Sequence, residues 1–407
     1  MKECKIVSRK FAIEGSHTLE VAKHHNAYRS LEKRGEFTPT QMIKIIKDAN
    51  LRGKGGGGAS AGEKWELMPQ DGDKPSFLAV NCDESEPGTF KDRQIITYDP
   101  HLLIEGIILT CYAIKSKHAY IYIRGEYKEY QDILQNAIDE AYEDGLLESC
   151  DITIHRGAGA YICGEKSALL ESMEGKRGHP RLKPKQKEPE WFFGNPTLVN
   201  NVETIATVPF IIQNGSDAYR EYGTHCSPGT LLFGMSGHVN KPGVYESEFG
   251  VSMLEYIEHF GGGVKNGKKL KAVIPGGVSC GVLTARECKD LTLDYEAMRT
   301  AGSSLGTGGM IIMDEDTDMV AVLKNILEFY HEESCGQCTP CREGTGWSDK
   351  ILQKIVNKRG TKKDLEKLFE LADVMNGKTI CVFAPSVSSV LISFITKFRD
   401  EFERAVS

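Results

Sequence analysis

The chain has no long unbroken apolar stretch. Its longest, residues 102–114, is interrupted by Glu105 and is too short to span a bilayer. The opening MKECKIVSRKF lacks the apolar core of a secretory signal. A basic stripe is also missing, and the formal net charge of −7 speaks against nucleic acid as a partner. No G-K-[ST] closes a phosphate loop, and no G-x-G-x-x-G opens a helix after a strand. These absences lead us to expect a cytoplasmic chain, or one bound peripherally to something larger, with no direct membrane insertion. Its 407 residues suffice for two or three domains, each with a core. With no export signal, its 12 cysteines point to a reducing compartment, where thiols serve metals or sit as small buried apolar groups.

Three of those thiols carry the strongest signal. In SCGQCTPCR, Cys335, Cys338 and Cys341 follow C-x2-C-x2-C spacing, which lets three thiolates converge from a tight loop onto a small inorganic cluster. A [4Fe-4S] cluster takes four thiolates, and short runs of this kind use a remote fourth Cys. Cys381 in GKTIC is the candidate. A tetrahedral Zn site would use the same soft ligands. Zn ribbons usually pair two C-x-x-C knuckles, however, and the sequence has no second knuckle. Cys280 and Cys288, with no third cysteine near them, read as incidental thiols.

Upstream, residues 1–39 are polar with little pattern, and read as an N-terminal arm lying on a partner or on the main body. A helix over 40–49 puts Met42, Ile45 and Ile46 on one face and leads to LRGKGGGGASAGEKW. Consecutive glycines there let backbone N–H groups approach a flat or phosphorylated ligand, with Arg52, Lys54 and Lys64 adding positive charge. The bland alternative is a flexible surface linker. A buried strand over 76–81 runs into CDESEPGTFKDR. There Asp83, Glu84 and Glu86 either accept hydrogen bonds from a ligand at a strand's carboxyl end or form a solvated acidic turn.

Helices over 100–116 and 128–143 alternate with strands over 118–123 and 151–155, the pattern of a parallel sheet covered by helices. A second glycine turn, RGAGAYICGEK, opens a helix over 161–173, whose N-terminus favours an anionic or electron-rich group. NPTLVNNVETIATVPFII starts another helix, presenting Asn200, Asn201 and Thr204 in its first turn, where they serve equally well as ordinary caps. Short strands from about Gly229 suit a small α+β domain ending near Asp314. Residues 319–330, 347–356, 363–375 and 387–406 read as helices of a compact bundle around the cysteines.

Taken in order, LRGKGGGG, NCDESEPGTFKDR, GAYICGE, EGKRGHPRLKP, NNVET, SCGQCTPCREGTGW and GKTIC resemble the nucleotide-binding flavoprotein subunit of bacterial and mitochondrial respiratory complex I. Homologous subunits occur in NAD-linked hydrogenases and formate dehydrogenases. The resemblance runs from about residue 40 to 400. It implies an α/β fold: a Rossmann-like FMN and nucleotide domain (40–225), a ubiquitin-like β-grasp α+β domain (226–315), and an all-α four-helix bundle (316–407). The bundle would hold [4Fe-4S] on Cys335, Cys338, Cys341 and Cys381. By matching position, FMN would take Gly53, Gly55 and Gly56 of the loop, with Lys64 closing it. Asn81, Asp83, Glu84 and Ser85 would line the flavin, joined by Tyr161, Gly164 and Glu165, and by Asn200, Asn201 and Thr204. Glu86 would bind NADH beside the flavin, with Lys183 near the nucleotide. Glu86 and Glu84 are the expected catalytic residues.

The family's adenine-holding aromatics correspond here to Ala59, Leu67 and Gln186, and its second Glu after GAYICGE is Lys166. Lys185 and Lys187 add further positive charge nearby. Weak NADH binding, with NADPH binding no worse, is therefore expected. The implied function is electron entry of the NADH dehydrogenase type, with NAD(H), FMN and [4Fe-4S] as cofactors. The alternatives are a paralogue using NADPH, ferredoxin or flavodoxin, and a non-catalytic electron relay with a degenerate nucleotide site. Implied partners are a thioredoxin-like [2Fe-2S] subunit and a cluster-rich electron-wire subunit, through which the chain would lie peripheral to the inner membrane.

Overall fold

The computed structural model describes residues 4–72, 74–183 and 187–406; Lys185 and Gln186, two positions singled out beside the nucleotide, lie outside them. The first sheet is built from β1 (Ser76–Cys82), β2 (Ser116–Ile123), β3 (Asp151–Arg156), β4 (Glu190–Phe192) and β5 (Asn195–Asn201), in the order β3-β2-β1-β5-β4. β1, β2, β3 and β5 are parallel, and β4 folds back along β5 as an antiparallel edge. The expected alternation over 100–156 forms, within a few residues at each boundary.

The longest apolar run is a core helix. Pro100–Ala113 starts on Asp99, whose side chain accepts from Leu102 N, with Pro100 in the first turn. It crosses the helix Val202–Asn214 so closely that a Cβ on Gly106 would stand 2.2 Å from the carbonyl oxygen of Ile205. Only glycine permits that approach. Among the described residues, no helix is long and apolar enough to cross a membrane.

Around the first sheet, two local readings differ from the structure. NPTLVNN is strand β5, and the helix begins only at Val202, capped by Asn201, which accepts from the N–H groups of Glu203 and Thr204. β5 owes its conformation to pairing with β1, far upstream, which a local pattern does not register. Around the second glycine turn, Tyr161–Gly164 is a single 3-10 turn, and the helix is Lys166–Met173 with Glu165 as its cap.

A second sheet contains β6 (Thr230–Gly237), β7 (Gly243–Glu248), β8 (Leu270–Ile274), β9 (Leu283–Thr284) and β10 (Gly309–Asp314), in the order β7-β6-β10-β8-β9. Central β6 and β10 are parallel, while β7 and β8 pair with them antiparallel, the arrangement of a β-grasp. The sequence pattern did not mark β10 as a strand. The bundle comprises Met319–Glu333, Thr339–Val356, Lys362–Met375 and Phe383–Lys397, followed by a short turn of helix, Arg399–Ala405. The second of these starts eight residues before its expected 347, on Cys338, because Pro340 suits the first helical turn. Cys341 thus sits in a helix rather than in a loop.

Residues 6–31 are strapped onto the body. The N–H groups of Ile6, Val7 and Ser8 donate to the buried carboxylate of Glu246 on β7, as do the hydroxyls of Ser8 and Thr230. Buried Lys10 pairs with Asp99 at 2.9 Å. His101, fully buried, bridges Tyr28 and Glu140. The polarity that reads as an arm is spent on internal partners.

Candidate functional site

The chain leaves β1 toward β2 on one side while β5 flanks it on the other, and ligands of open α/β sheets bind where such strand ends diverge. Asn81 and Asn201 face each other there in the β1–β5 ladder. A cleft of about 360 Å³ opens over them, within the range of cofactor pockets. Gly55 and Gly56 form one edge. Asn81, Asp83, Glu84, Ser85 and Glu86 form the floor, Tyr161, Gly164 and Glu165 another side, and Asn201 the junction.

The remaining expected residues stand elsewhere. Gly53 closes the base of the loop, its N–H donating to Ala59 O at 2.7 Å. Thr204 accepts from Lys54 N at 2.9 Å, holding the loop from behind. Asn200 points to the opposite face of the sheet from Asn201, as alternate strand residues do, and accepts from the Trp65 indole. Lys64 is partly buried, its ammonium donating to Val199 O at 2.5 Å; burial, then neighbouring Lys166, lowers its pKa to about 8. Lys183 is exposed and is not part of the cleft wall. Ala59 is exposed and Leu67 half-buried, and neither lines the cleft.

The expected positive charge around the loop turns inward. Lys54 is fully buried, with Nζ 2.8 Å from Thr207 Oγ1 and 3.2 Å from Glu203 Oε1. Arg52 holds the carbonyl of Gly58 and the carboxylate of Glu296, and lies over the Tyr295 ring. The cation that lines the cleft is Lys91, to which the sequence assigned no role, although it lies within the quoted KDR. It pairs with Asp92 at 2.7 Å and Glu203 at 2.9 Å. Burial lowers its pKa, but Asp92, Glu203 and Glu84 outweigh burial and hold it above the usual lysine value. Ser279, Ser304 and Thr307 of the β-grasp unit also reach the cleft and were not anticipated.

Five carboxylates line the cleft, and they differ in what they can accept. Glu84 takes the N–H groups of Lys91, Asp92 and Arg93 and the Tyr127 hydroxyl. These bonds fold the turn around the Glu84 side chain, which lines the cleft floor. Glu86 is held between Tyr161 OH at 2.6 Å and Ser279 N at 2.7 Å. Asp92 pairs with Lys91 and accepts from Asn201 Nδ2, and Glu165 caps its helix through Ser167 N and Ala168 N. Asp83 differs. Its Oδ2 is buried without a hydrogen-bond partner, and a Cβ built on cleft-lining Gly164 would lie 3.7 Å from it. Burial, only partly offset by Arg124, pushes its pKa up to about 7.

Beside the cleft lies a smaller cavity walled by Cys335, Cys338, Cys341 and Cys381. Ile380 N donates to Cys338 Sγ at 3.4 Å, and Ser334 Oγ lies 3.4 Å from Cys341 Sγ. Burial, and then the other three thiols, push Cys341 up to about 11, with Ser334 opposing. Among the described residues, no three His, Cys, Asp or Glu side chains close on a single-ion position. The four cysteines line one small cavity, and four cysteine thiolates are the donor set of a [4Fe-4S] cluster. Cys381, Ile162 and Phe383 face both cavities, so one layer of side chains divides them. The cleft, with glycine backbone on one edge, polar floor and an unpartnered carboxylate oxygen, fits a flat, polar-tailed cofactor.

Comparison with known proteins agrees with this division. Residues 46–210 match the Nuo51 FMN-binding domain, 231–322 the SLBB domain, and 321–405 the NADH-ubiquinone oxidoreductase-F iron-sulfur binding region. The NADH-quinone oxidoreductase F subunit of Rickettsia bellii (strain OSU 85-389) is 45% identical over 406 residues, covering 97% of this chain and 96% of that one. Its counterpart in Mycobacterium tuberculosis (strain CDC 1551 / Oshkosh) is 45% identical over 413 residues, covering 98% and 92%. A crystal structure of NAD+-reducing [NiFe]-hydrogenase in the H2-reduced state superposes with a TM-score of 0.86 at 35% identity, over 94% of this chain. The chain spans 65% of that hydrogenase chain, and 67% of the one in the air-oxidized state. The chain belongs to the family of NADH-quinone oxidoreductase F subunits.

Proposed function

We infer that this chain is the electron-entry flavoprotein of an NADH-oxidising complex: it oxidises NADH at FMN in the cleft and passes electrons to a [4Fe-4S] cluster on Cys335, Cys338, Cys341 and Cys381. The observation that carries this reading is the shared wall of Cys381, Ile162 and Phe383. A hydride site and a one-electron site separated by one side-chain layer need no moving carrier between them. When bound, the flavin supplies the change from two-electron to one-electron chemistry, and the cluster carries single electrons.

The chain's own residues bind, orient and exclude water. Gly55 and Gly56 let the backbone approach the ring system, while Asn81 and Asn201 offer side-chain amides at the strand ends. Gly53, Lys64, Asn200 and Thr204 act behind that surface, fixing the loop and strand that form it. Glu86, oriented by Tyr161 and Ser279, is the carboxylate that meets the nucleotide, and Lys183, exposed outside the cleft wall, is the cation we assign to it from the solvent side. The Tyr161 ring packs on Phe329 and Phe383, at 5.2 and 5.8 Å between centroids, and keeps solvent from the dividing wall. Partners that draw electrons away are a thioredoxin-like [2Fe-2S] subunit and a cluster-rich wire subunit, and they place the chain peripheral to a membrane.

Anaerobic titration of the purified protein with NADH and with NADPH, followed by flavin absorbance, tests this. Prompt bleaching by NADH is expected. A flavin that stays bound yet oxidised with both nucleotides would leave only a relay and would sink the enzymatic reading.

A further inference from the structure

Oxidation of NADH to NAD+ places one hydride, and so one negative charge, in a cleft already lined by five carboxylates. Four of these already accept hydrogen bonds. A proton on Glu84 would set an O–H against backbone N–H groups that already point at it, Glu86 and Asp92 each serve two donors, and Glu165 accepts from Ser167 N, Ser167 Oγ and Ala168 N. Asp83 is the exception. Only 8% of it is exposed, and Oδ2 has no partner and sits behind Gly164 at the cleft floor. Resting on the reading that FMN is reduced by NADH in this cleft, we propose that Asp83 takes up a proton as the cofactor is reduced and gives it up as the electrons leave.

The balance is simple. Reduction brings in H− from NADH, leaving NAD+, and one solvent H+ that forms an O–H bond on Asp83 Oδ2. When the two electrons have passed, one at a time, to the iron-sulfur cluster and on to the next carrier, the hydride's nucleus leaves as H+ and the Asp83 O–H bond breaks, releasing a second H+. The net change is NADH to NAD+, two electrons and one H+. The charged groups that bear on Asp83 are Arg124, which favours the carboxylate, and Glu126 and Glu333, which oppose it. Tyr122, Cys163 and Cys82 are the other titratable neighbours, all held above their usual values by burial first. Arg124 pairs with Glu126 at 3.0 Å, and the Glu126 side chain is half exposed, so this pair offers a polar exit to solvent. Burial already holds Asp83 near pH 7, and an added negative charge raises a carboxyl pKa further.

The test is a spectroelectrochemical titration of the flavin in the holoprotein at a series of pH values from about 7 upward. The wild type should take up two protons per two electrons over the first one to two pH units above 7, and Asp83→Asn only one. Each proton contributes about 30 mV per pH unit to a two-electron couple, so the Asn variant should lose about that slope. Asp83→Glu should restore it. A protonated-carboxyl band should also appear in the reduced-minus-oxidised infrared spectrum of the wild type and vanish in Asp83→Asn. One proton per two electrons in the wild type overturns the proposal by itself, even if Asp83→Asn fails to retain flavin. An unchanged slope in the Asn variant overturns it too. A protein whose flavin is not reduced by NADH fails at the earlier reading instead, so the two failures are distinguishable.

Discussion

The Tyr295 ring occupies the place where a side chain on Gly58 would begin: a Cβ there would lie 2.6 Å from Tyr295 Cε1, and Gly58 has φ +59°. Tyr295 also donates to Gly53 O at 3.1 Å, so one ring of the β-grasp unit clamps both ends of the glycine loop. Gly58→Ala should therefore shift the loop, cost about 1–3 kcal/mol in folding stability and lower flavin occupancy several-fold. Gly35→Ala, outside the cleft and with nothing within 4 Å of its Cβ, should leave both unchanged. Flavin content and thermal unfolding of the pair check this; equal occupancy in both variants would refute the clamp.

The two cavities meet at Cys381, whereas Cys338 lines only the smaller. Cys338→Ala should remove iron and acid-labile sulfide while flavin stays bound. Cys381→Ala should remove the cluster and also weaken flavin retention, because the same side chain walls the cleft. Iron, sulfide and flavin analysis of both proteins decides it. Zinc with no sulfide in the wild type would contradict the cluster outright.

Glu246 gathers three backbone N–H groups and two hydroxyls from the N-terminal strap and β6. Its removal orphans several buried donors at once. Glu246→Ala should cost about 2–4 kcal/mol and expose residues 6–16 to protease. Limited proteolysis and urea unfolding measure this, and full protection of the strap in the variant would contradict it.

Asp83 has a folded-state pKa near 7 against an ordinary 3.8. Between those values the folded chain holds a proton that the unfolded chain has lost, so raising pH through this window destabilises the fold. Asp83→Asn should accordingly be more stable than wild type above pH 7, by on the order of 2–4 kcal/mol. The advantage should shrink as pH falls toward 4. Urea unfolding of the flavin-free forms at several pH values tests the sign; an advantage that grows toward acid would reverse the argument.

Local pattern carried much of this protein. The spacing of Cys335, Cys338 and Cys341, the alternation of helices and strands over 100–156, and the glycine and acidic turns are each properties of short segments. Short-range chemistry dictates them whatever the rest of the chain does. Matching motifs then supplied the family and the cofactors. Tertiary structure decided what depends on a partner distant in sequence. β5 is a strand only because β1 lies beside it, and that register turns Asn201 into the cleft while sending Asn200 to Trp65. Lys54 and Lys64, charged in sequence and near the loop, are drawn inward by Glu203 and by Val199 O, since a buried cation must find a partner. Of five cleft carboxylates identical in charge, only packing distinguishes Asp83. Glu86 and Asp92 meet donors from distant segments, Glu84 and Glu165 chiefly from their own turn and helix, and Asp83 Oδ2 meets none.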